Sequence, residues 1–403
     1  MNPIEPIGRD YLRLALRIER HFEGFVDAYY GPAELKAQVE AEGTRPITDL
    51  RRDAAALCDA IAQAEMDAAR RDYLTRQVTA MQTVLRRLAG EEMSLAEEVR
   101  GCFDVVPRRT DESEFEAGQR ELDTLLPGAG DLMTRLADWR KQFDLPAERI
   151  LPVMQIAIGE ARRRTAALFD LPEGESVDVQ LVANQPWGGY NWYLGNFRSR
   201  IDVNTDLPVR ANNALGLMAH ETYPGHHTEH ALKEKRLFRD DGRLEHSVHL
   251  LVAPESFVAE AIATTALDVI FPDRNELAAW LSDVLYPAAR LHGDAQQQLR
   301  IGDALEKLAG VGGNAAFLLH EDRRPEAEVL DYYKRFGLRT EREARQGLRF
   351  ISAPQFRVYI FTYFYGRTML KRAFETSGML AVFRWVVSEP ATPSAIAARG
   401  APA

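Results

Sequence analysis

A proline four residues after a histidine constrains this chain more than any other feature. The segment reads His220-Glu221-Thr222-Tyr223-Pro224-Gly225-His226-His227, and it follows Ala214-Leu215-Gly216-Leu217-Met218-Ala219, a run made mostly of good helix formers. Proline lacks the amide that would bond back to the His220 carbonyl and crowds that carbonyl, so a helix delivering His220 and Glu221 must kink or break at Pro224. Six of the nine histidines, His220, His226, His227, His230, His246 and His249, fall within residues 217–255. That clustering marks the place where the chain's chemistry is expected.

A neutral imidazole is a good zinc ligand. A glutamate one residue later points about 100° round the helix, where it can reach a water on the metal without ligating the metal itself. In the common His-Glu-x-x-His signature the second histidine shares the first one's face, but here that position is Pro224. If Pro224-Gly225 is a two-residue insertion, His226 becomes the second ligand. If the helix continues, His227 lies two turns and about 10 Å along the axis from His220, a long reach for two imidazoles on one ion. His226 is therefore preferred, with His227 as the alternative. For the third ligand the candidate is Glu255, because Pro254 suits the opening of a helix and places Glu255 near its start. Glu260, five residues on, faces away from Glu255 and suits a role holding a ligand histidine rather than the metal.

These residues resemble a bacterial family of largely uncharacterised proteins, domain of unknown function 885. Its hallmark, His-Glu-x-x-Pro-Gly-His-His, is matched at all six fixed positions from His220 to His227. A second element, a glutamate-led helix of the Glu-Gly-Trp-Ala type, is matched more loosely by Glu255-Ser256-Phe257-Val258, with Ser256 where the family usually has glycine. The family is distantly similar to gluzincin peptidases, which are mainly helical and hold zinc with two histidines and a glutamate. The resemblance thus implies one Zn²⁺ per chain, a mainly α fold with a small β-sheet beside a cleft, and a peptidase acting on short peptides with Glu221 as general base. The same residues would also serve a hydrolase of a non-peptide amide or ester, or persist in a binding protein that no longer catalyses. A Tyr-x-x-Gly element near the family's end is matched by Tyr363 and Gly366. Zinc peptidases need a donor for the oxyanion, and Tyr363 is the candidate. Tyr359, Tyr363 and Arg367, spaced by four, share one helix face that could present a phenol and a guanidinium to a cleft.

The rest of the chain is read around that centre. Residues 1–170 carry apolar residues at helical spacing: a first helix through Leu14, Ile18, Phe22 and Phe25 that ends at Tyr29-Tyr30-Gly31-Pro32, two helices within 47–90, one through Leu132, Leu136, Trp139 and Phe143, and one over 150–169. Residues 171–390 form the candidate catalytic region. In it, 177–182, 190–194 and 197–203 alternate or carry aromatic and β-branched residues, which predicts two or three strands turning at Trp187-Gly188-Gly189 and Gly195-Asn196. An edge strand there could hold an extended peptide. Arg198, Arg200 and Arg210 are candidates for a substrate carboxylate. Further helices are expected past Glu255, with Gly310 to Gly313 as a break and residues 391–403 as a loosely held tail.

A formal charge of −10 without a basic block excludes nucleic acid as a natural partner. Cys58 and Cys102 are too few for a disulfide scaffold and suit a reducing compartment. No leader is read in Met1-Asn2-Pro3-Ile4-Glu5-Pro6, and no run approaches about eighteen uncharged apolar residues. The expected setting is cytoplasmic, with no membrane partner. Oligomeric state is left open.

Overall fold

The computed structural model describes residues 5–401; residues 1–4, part of the segment read for a leader, and 402–403, the end of the tail, lie outside. The fold is mainly α with two small sheets. In chain order come α1 (Glu5–Glu19), β1 (Val26–Tyr29), α2 (Ala33–Ala41), α3 (Ile47–Gln63), α4 (Ala68–Leu88), α5 (Leu95–Phe103), α6 (Glu112–Leu125), α7 (Leu132–Lys141) and α8 (Ala147–Ala166). A sheet of β2 (Ser176–Val182), β3 (Gly189–Gly195) and β4 (Arg198–Asn204) leads into α9 (Ala211–Glu221), α10 (His226–Lys233), β5 (Val248–Leu250) and α11 (Pro254–Ile270). The chain finishes with α12 (Arg274–Trp280), α13 (Tyr286–Ala289), α14 (Ala295–Glu306), α15 (Val311–His320), α16 (Glu326–Gly337), α17 (Glu341–Ser352), α18 (Ile360–Ser377), α19 (Met379–Ser388) and α20 (Pro393–Arg399). No helix is long and apolar enough to cross a membrane among the described residues.

The central element is α11, in which nearly every side chain is buried, including Glu255 and Glu260. An apolar sequence without a polar face has no side to offer solvent, so it forms the axis on which others pack. On one side lie α9 and α10, and on another α18, whose approach depends on Gly366: a Cβ there would stand 3.0–3.2 Å from the Cβ, Cα and N of Ala261. Buried residues from α1, α4, α8, α9, α11 and α15 belong to one continuous core, so side chains before and after residue 170 share it.

The three-stranded sheet runs in the order β2-β4-β3, with β2 parallel and β3 antiparallel to the central β4. The strands thus fall where the alternation predicts them, and β3 is an edge. Three expectations are corrected. The first helix ends at Glu19, and Val26 to Tyr29 form a strand that pairs with β5, because the Glu19 carboxylate accepts the amides of Gly24 and Val26 and turns the chain out of the helix. The tail, expected to be loose over 391–403, instead forms α20: Thr392 caps it, and Ala391, Pro393 and Ile396 are buried beside α18 and α19. Also, Gly312 and Gly313 lie inside α15 rather than in a break, pressed against Ile360 and Phe361 of the α18 region.

Candidate metal centre

Helix α9 ends at Glu221, the chain turns through Thr222 to Gly225, and α10 restarts at His226. Gly225 is required by close approach. Its amide donates to the Ala219 carbonyl at 3.0 Å, and a Cβ on it would land on the His220 carbonyl oxygen, within 2.6 Å of the carbonyl carbon. This tight junction folds the start of α10 back on the end of α9, so that the His220 and His226 rings lie 4.8 Å apart, edge to face. The Pro-Gly pair thus acts as a two-residue insertion that places His226 beside His220.

The third group is Glu260, not Glu255. Ligand atoms of His220, His226 and Glu260 all lie within 4.8 Å of one another. His220 Nε2 is 3.4 Å from Glu260 Oε2, and His226 Nε2 is 3.6 Å from Oε1. Tyr359 donates to Glu260 Oε1 at 2.8 Å and fixes the carboxylate, while Oε2 is buried with no hydrogen-bond partner. A buried carboxylate oxygen left without a donor beside two imidazoles is the condition a cation relieves, so this donor set fits a metal ion.

Glu255 is engaged elsewhere. It accepts from the Tyr73 hydroxyl and the Leu250 amide, both at 2.8 Å, and stands 3.6 Å from His249 Nδ1. Burial, only partly offset by these donors, pushes it up to about 8. His227 is likewise committed: Nδ1 lies 2.8 Å from the Ser199 hydroxyl and Nε2 3.0 Å from Glu175. The other three histidines of the cluster are not members of the donor set, although His230 and His249 line the same small cavity. His230 and His249 pack with ring centres 4.0 Å apart, and His246 lies against Tyr73.

The electrostatics follow from burial and from Glu260. Burial pulls His220 down to about 4. At His226 the same burial is overcome by the hydrogen bond and charge of Glu260 and by Glu221, which carry it up to about 9. Burial also pushes Glu221 up to about 7, against the pull of His226. The Glu221 carboxyl borders the cavity, makes no hydrogen bond to another described residue, and has Gly189 so close that a Cβ there would stand 3.0 Å from its Oε1. The Glu221 backbone carbonyl accepts from the Asn191 side chain, which ties the helix end to the edge strand β3.

A cavity of about 70 Å³ touches His220, Glu221, His226, Glu260, Tyr359 and Tyr363. Alongside it runs a cleft of about 910 Å³, also reached by His220, Glu221 and Tyr363 and walled by Trp187, Gly188, Gly189 and many leucines. Tyr363 thus stands where it is expected, and its hydroxyl makes no hydrogen bond to another described residue. Tyr359 is present too, bound to Glu260. Three arginines are not at the site. Arg367 is held by Asp268, Glu306 and the Thr264 carbonyl, Arg200 pairs with Asp202, and neither it nor the exposed Arg198 lines the cavity or the cleft. Arg367 shares a helix face with Tyr363, but it sits a turn further on, where α14 and α11 present acids. Asp27 on β1 also lines the cavity, hydrogen-bonded by the Tyr190 hydroxyl and pushed by burial up to about 6. Nothing in the local sequence marked it, because the pairing of β1 with β5 brings it there.

No protein-family model matches this chain, and no curated protein does. Among solved structures it is similar to a "putative lipoprotein" from Colwellia psychrerythraea, with a TM-score of 0.52 and 14% identity over 88% of this chain and 69% of that one. At that identity the likeness is one of fold.

Proposed function

We propose that the protein is a zinc-dependent metallopeptidase acting on short peptides, related to the domain-of-unknown-function 885 family and more distantly to the gluzincins. The observation that carries this reading is the convergence of His220, His226 and Glu260 on one point, with Glu221 and Tyr363 beside it on a deep cleft. Two histidines and a carboxylate are a donor set that leaves zinc an open position. When bound there, zinc supplies Lewis-acid activation of a water and of the scissile carbonyl.

The chain's own residues do the rest. Glu221 takes the proton of the attacking water and hands it to the leaving amine, a role suited to an unpaired carboxyl near neutrality. The Tyr363 hydroxyl, without a hydrogen-bond partner among the described residues, donates to the developing oxyanion. Tyr359 holds Glu260 in place. The edge strand β3 brings Gly189, Tyr190 and Asn191 to the cavity wall, where an extended peptide can add main-chain hydrogen bonds. A cytoplasmic setting is proposed on the two cysteines, both free.

The test is Glu221→Gln assayed on a library of short peptides. The variant should bind zinc like wild type and lose turnover by at least about 100-fold, the range of general acid–base catalysis. Full activity in Glu221→Gln would refute the mechanism.

A further inference from the structure

The wall of the large cleft is formed in part by one face of α17. Glu343, Gln346, Gly347 and Phe350 all line it, and this spacing of three, four and seven residues is a helix stripe. Phe350 marks the metal end, since it also lines the small cavity and its ring lies 6.5 Å from that of Tyr363. Seven residues of helix earlier, about 10 Å along the axis, is Glu343. There Arg140 and Arg339 line the cleft.

These two guanidiniums are underused. Neither makes a side-chain hydrogen bond to an acceptor among the described residues: Arg140 has only Glu343 at 3.8 Å, and Arg339 lies over the face of Tyr333 at 4.6 Å. Arg140 is well covered, with 19% of its side chain exposed. Glu343 meets them only at ion-pair range: its Oε2 accepts the amide and hydroxyl of Thr340 as the cap of α17, and its Oε1 faces Arg140 at 3.8 Å, beyond hydrogen-bond distance. Arg210, also 3.8 Å from Glu343, is paired with Asp144. This part of the cleft therefore sets two cations against one carboxylate that hydrogen-bonds neither, and the cleft is also lined by Leu217, Leu267, Leu277 and Leu281.

We propose that Arg140 and Arg339 receive the free C-terminal carboxylate of the substrate, so that the protein acts on short peptides with apolar residues near a free C-terminus. A guanidinium fork matches a carboxylate, and partly desolvated cations without acceptors favour one strongly. The axial rise of about 10 Å between the Phe350 and Glu343 positions is the length of roughly three extended residues, so the carboxylate is set a few residues from the reacting bond. This inference rests on the peptidase reading for its chemistry, but binding tests it separately.

The experiment uses three leucine-rich hexapeptides: a free acid, its C-terminal amide, and an amide with glutamate as the last residue. Hydrolysis is followed on wild type, Arg140→Gln and Arg339→Gln, and binding to Glu221→Gln, with and without each arginine change, is measured by calorimetry. Wild type should prefer the free acid, and either arginine change should raise its KM roughly ten- to hundredfold, the range for a lost charge-assisted hydrogen bond, with kcat and the amide's KM little changed. Arg339→Lys, which keeps the charge, should recover part of the loss. Equal binding of acid and amide would overturn the proposal, as would preference for the glutamyl amide, which would assign the pocket to an acidic side chain. If no peptide is cleaved but the free acid binds more tightly and loses that advantage in Arg140→Gln, the pocket stands and the peptidase reading fails.

Discussion

Gly225→Ala is the sharpest perturbation of the metal centre that touches no ligand. Its Cβ would fall on the His220 carbonyl oxygen and meet the Ala219 oxygen at 2.5 Å and the His220 carbonyl carbon at 2.6 Å, where ordinary contact begins at 3.4 Å, so the latter two must retreat by about 0.8 Å and the His220 oxygen by more. All three belong to the backbone of α9 and cannot rotate aside. Overpacking of this kind costs about 1–3 kcal/mol, and the upper end applies where only backbone can move. With an unfolding entropy of about 2.1 cal/mol/K per residue over 403 residues, 3 kcal/mol corresponds to a fall in Tm of roughly 4 °C for the metal-free protein. Zinc should widen the gap. The displaced peptide carries His220, so the variant should bind the metal weakly and forgo the stabilisation that ligand binding adds, about 2.7 kcal/mol at a hundredfold excess over Kd. The assay is calorimetric melting with and without zinc, beside Gly159→Ala in α8 as a control. Gly159 has open space around it, and alanine there should stabilise the helix by roughly 0.5–1 kcal/mol. A Gly225→Ala protein that melted within 1 °C of wild type and took up zinc equally would refute the role given to the α9–α10 junction.

Other outcomes follow from the same geometry. Tyr363→Phe should keep zinc and lower kcat by roughly 10²–10³, as expected for one oxyanion donor; an unchanged kcat would remove Tyr363 from the chemistry. Glu255 gives a pH signature. Its carboxyl is raised from an ordinary 4.5 to about 8 in the folded chain, so folding binds its proton more tightly. Its contribution is fully present below about pH 4.5 and is lost as pH rises towards 8. Glu255→Gln cannot ionise, and the stability of wild type relative to it should fall across that window in urea titrations; a flat difference would contradict the burial of a neutral Glu255.

Much of the site was legible in the chain. His220, Glu221 and the choice of His226 over His227 followed from local backbone chemistry, because the Pro-Gly junction is a property of adjacent residues. The start of α11 at Pro254 was equally local. Which of its two glutamates faces the histidines was not, since they do point to different sides and only the docking of α11 between α9 and α18 decides which side is which. A helix buried almost all round has no polar face to betray its rotation. Asp27, Arg140 and Arg339 were hidden for a similar reason: each reaches the cavity or the cleft through an element distant in sequence. The three strands were readable from alternation, while their order, with β4 between β2 and β3, was not. Arg367 was misjudged because shared helical phase says nothing about the acids of α11 and α14 that hold it.

The most direct test is zinc content by elemental analysis of protein purified without added metal, on wild type, His220→Ala, Glu260→Ala and Glu255→Ala. The account predicts about one zinc per chain in wild type and in Glu255→Ala, and loss in both His220→Ala and Glu260→Ala. Retention in Glu260→Ala with loss in Glu255→Ala, or no metal in wild type after zinc is supplied, would contradict it.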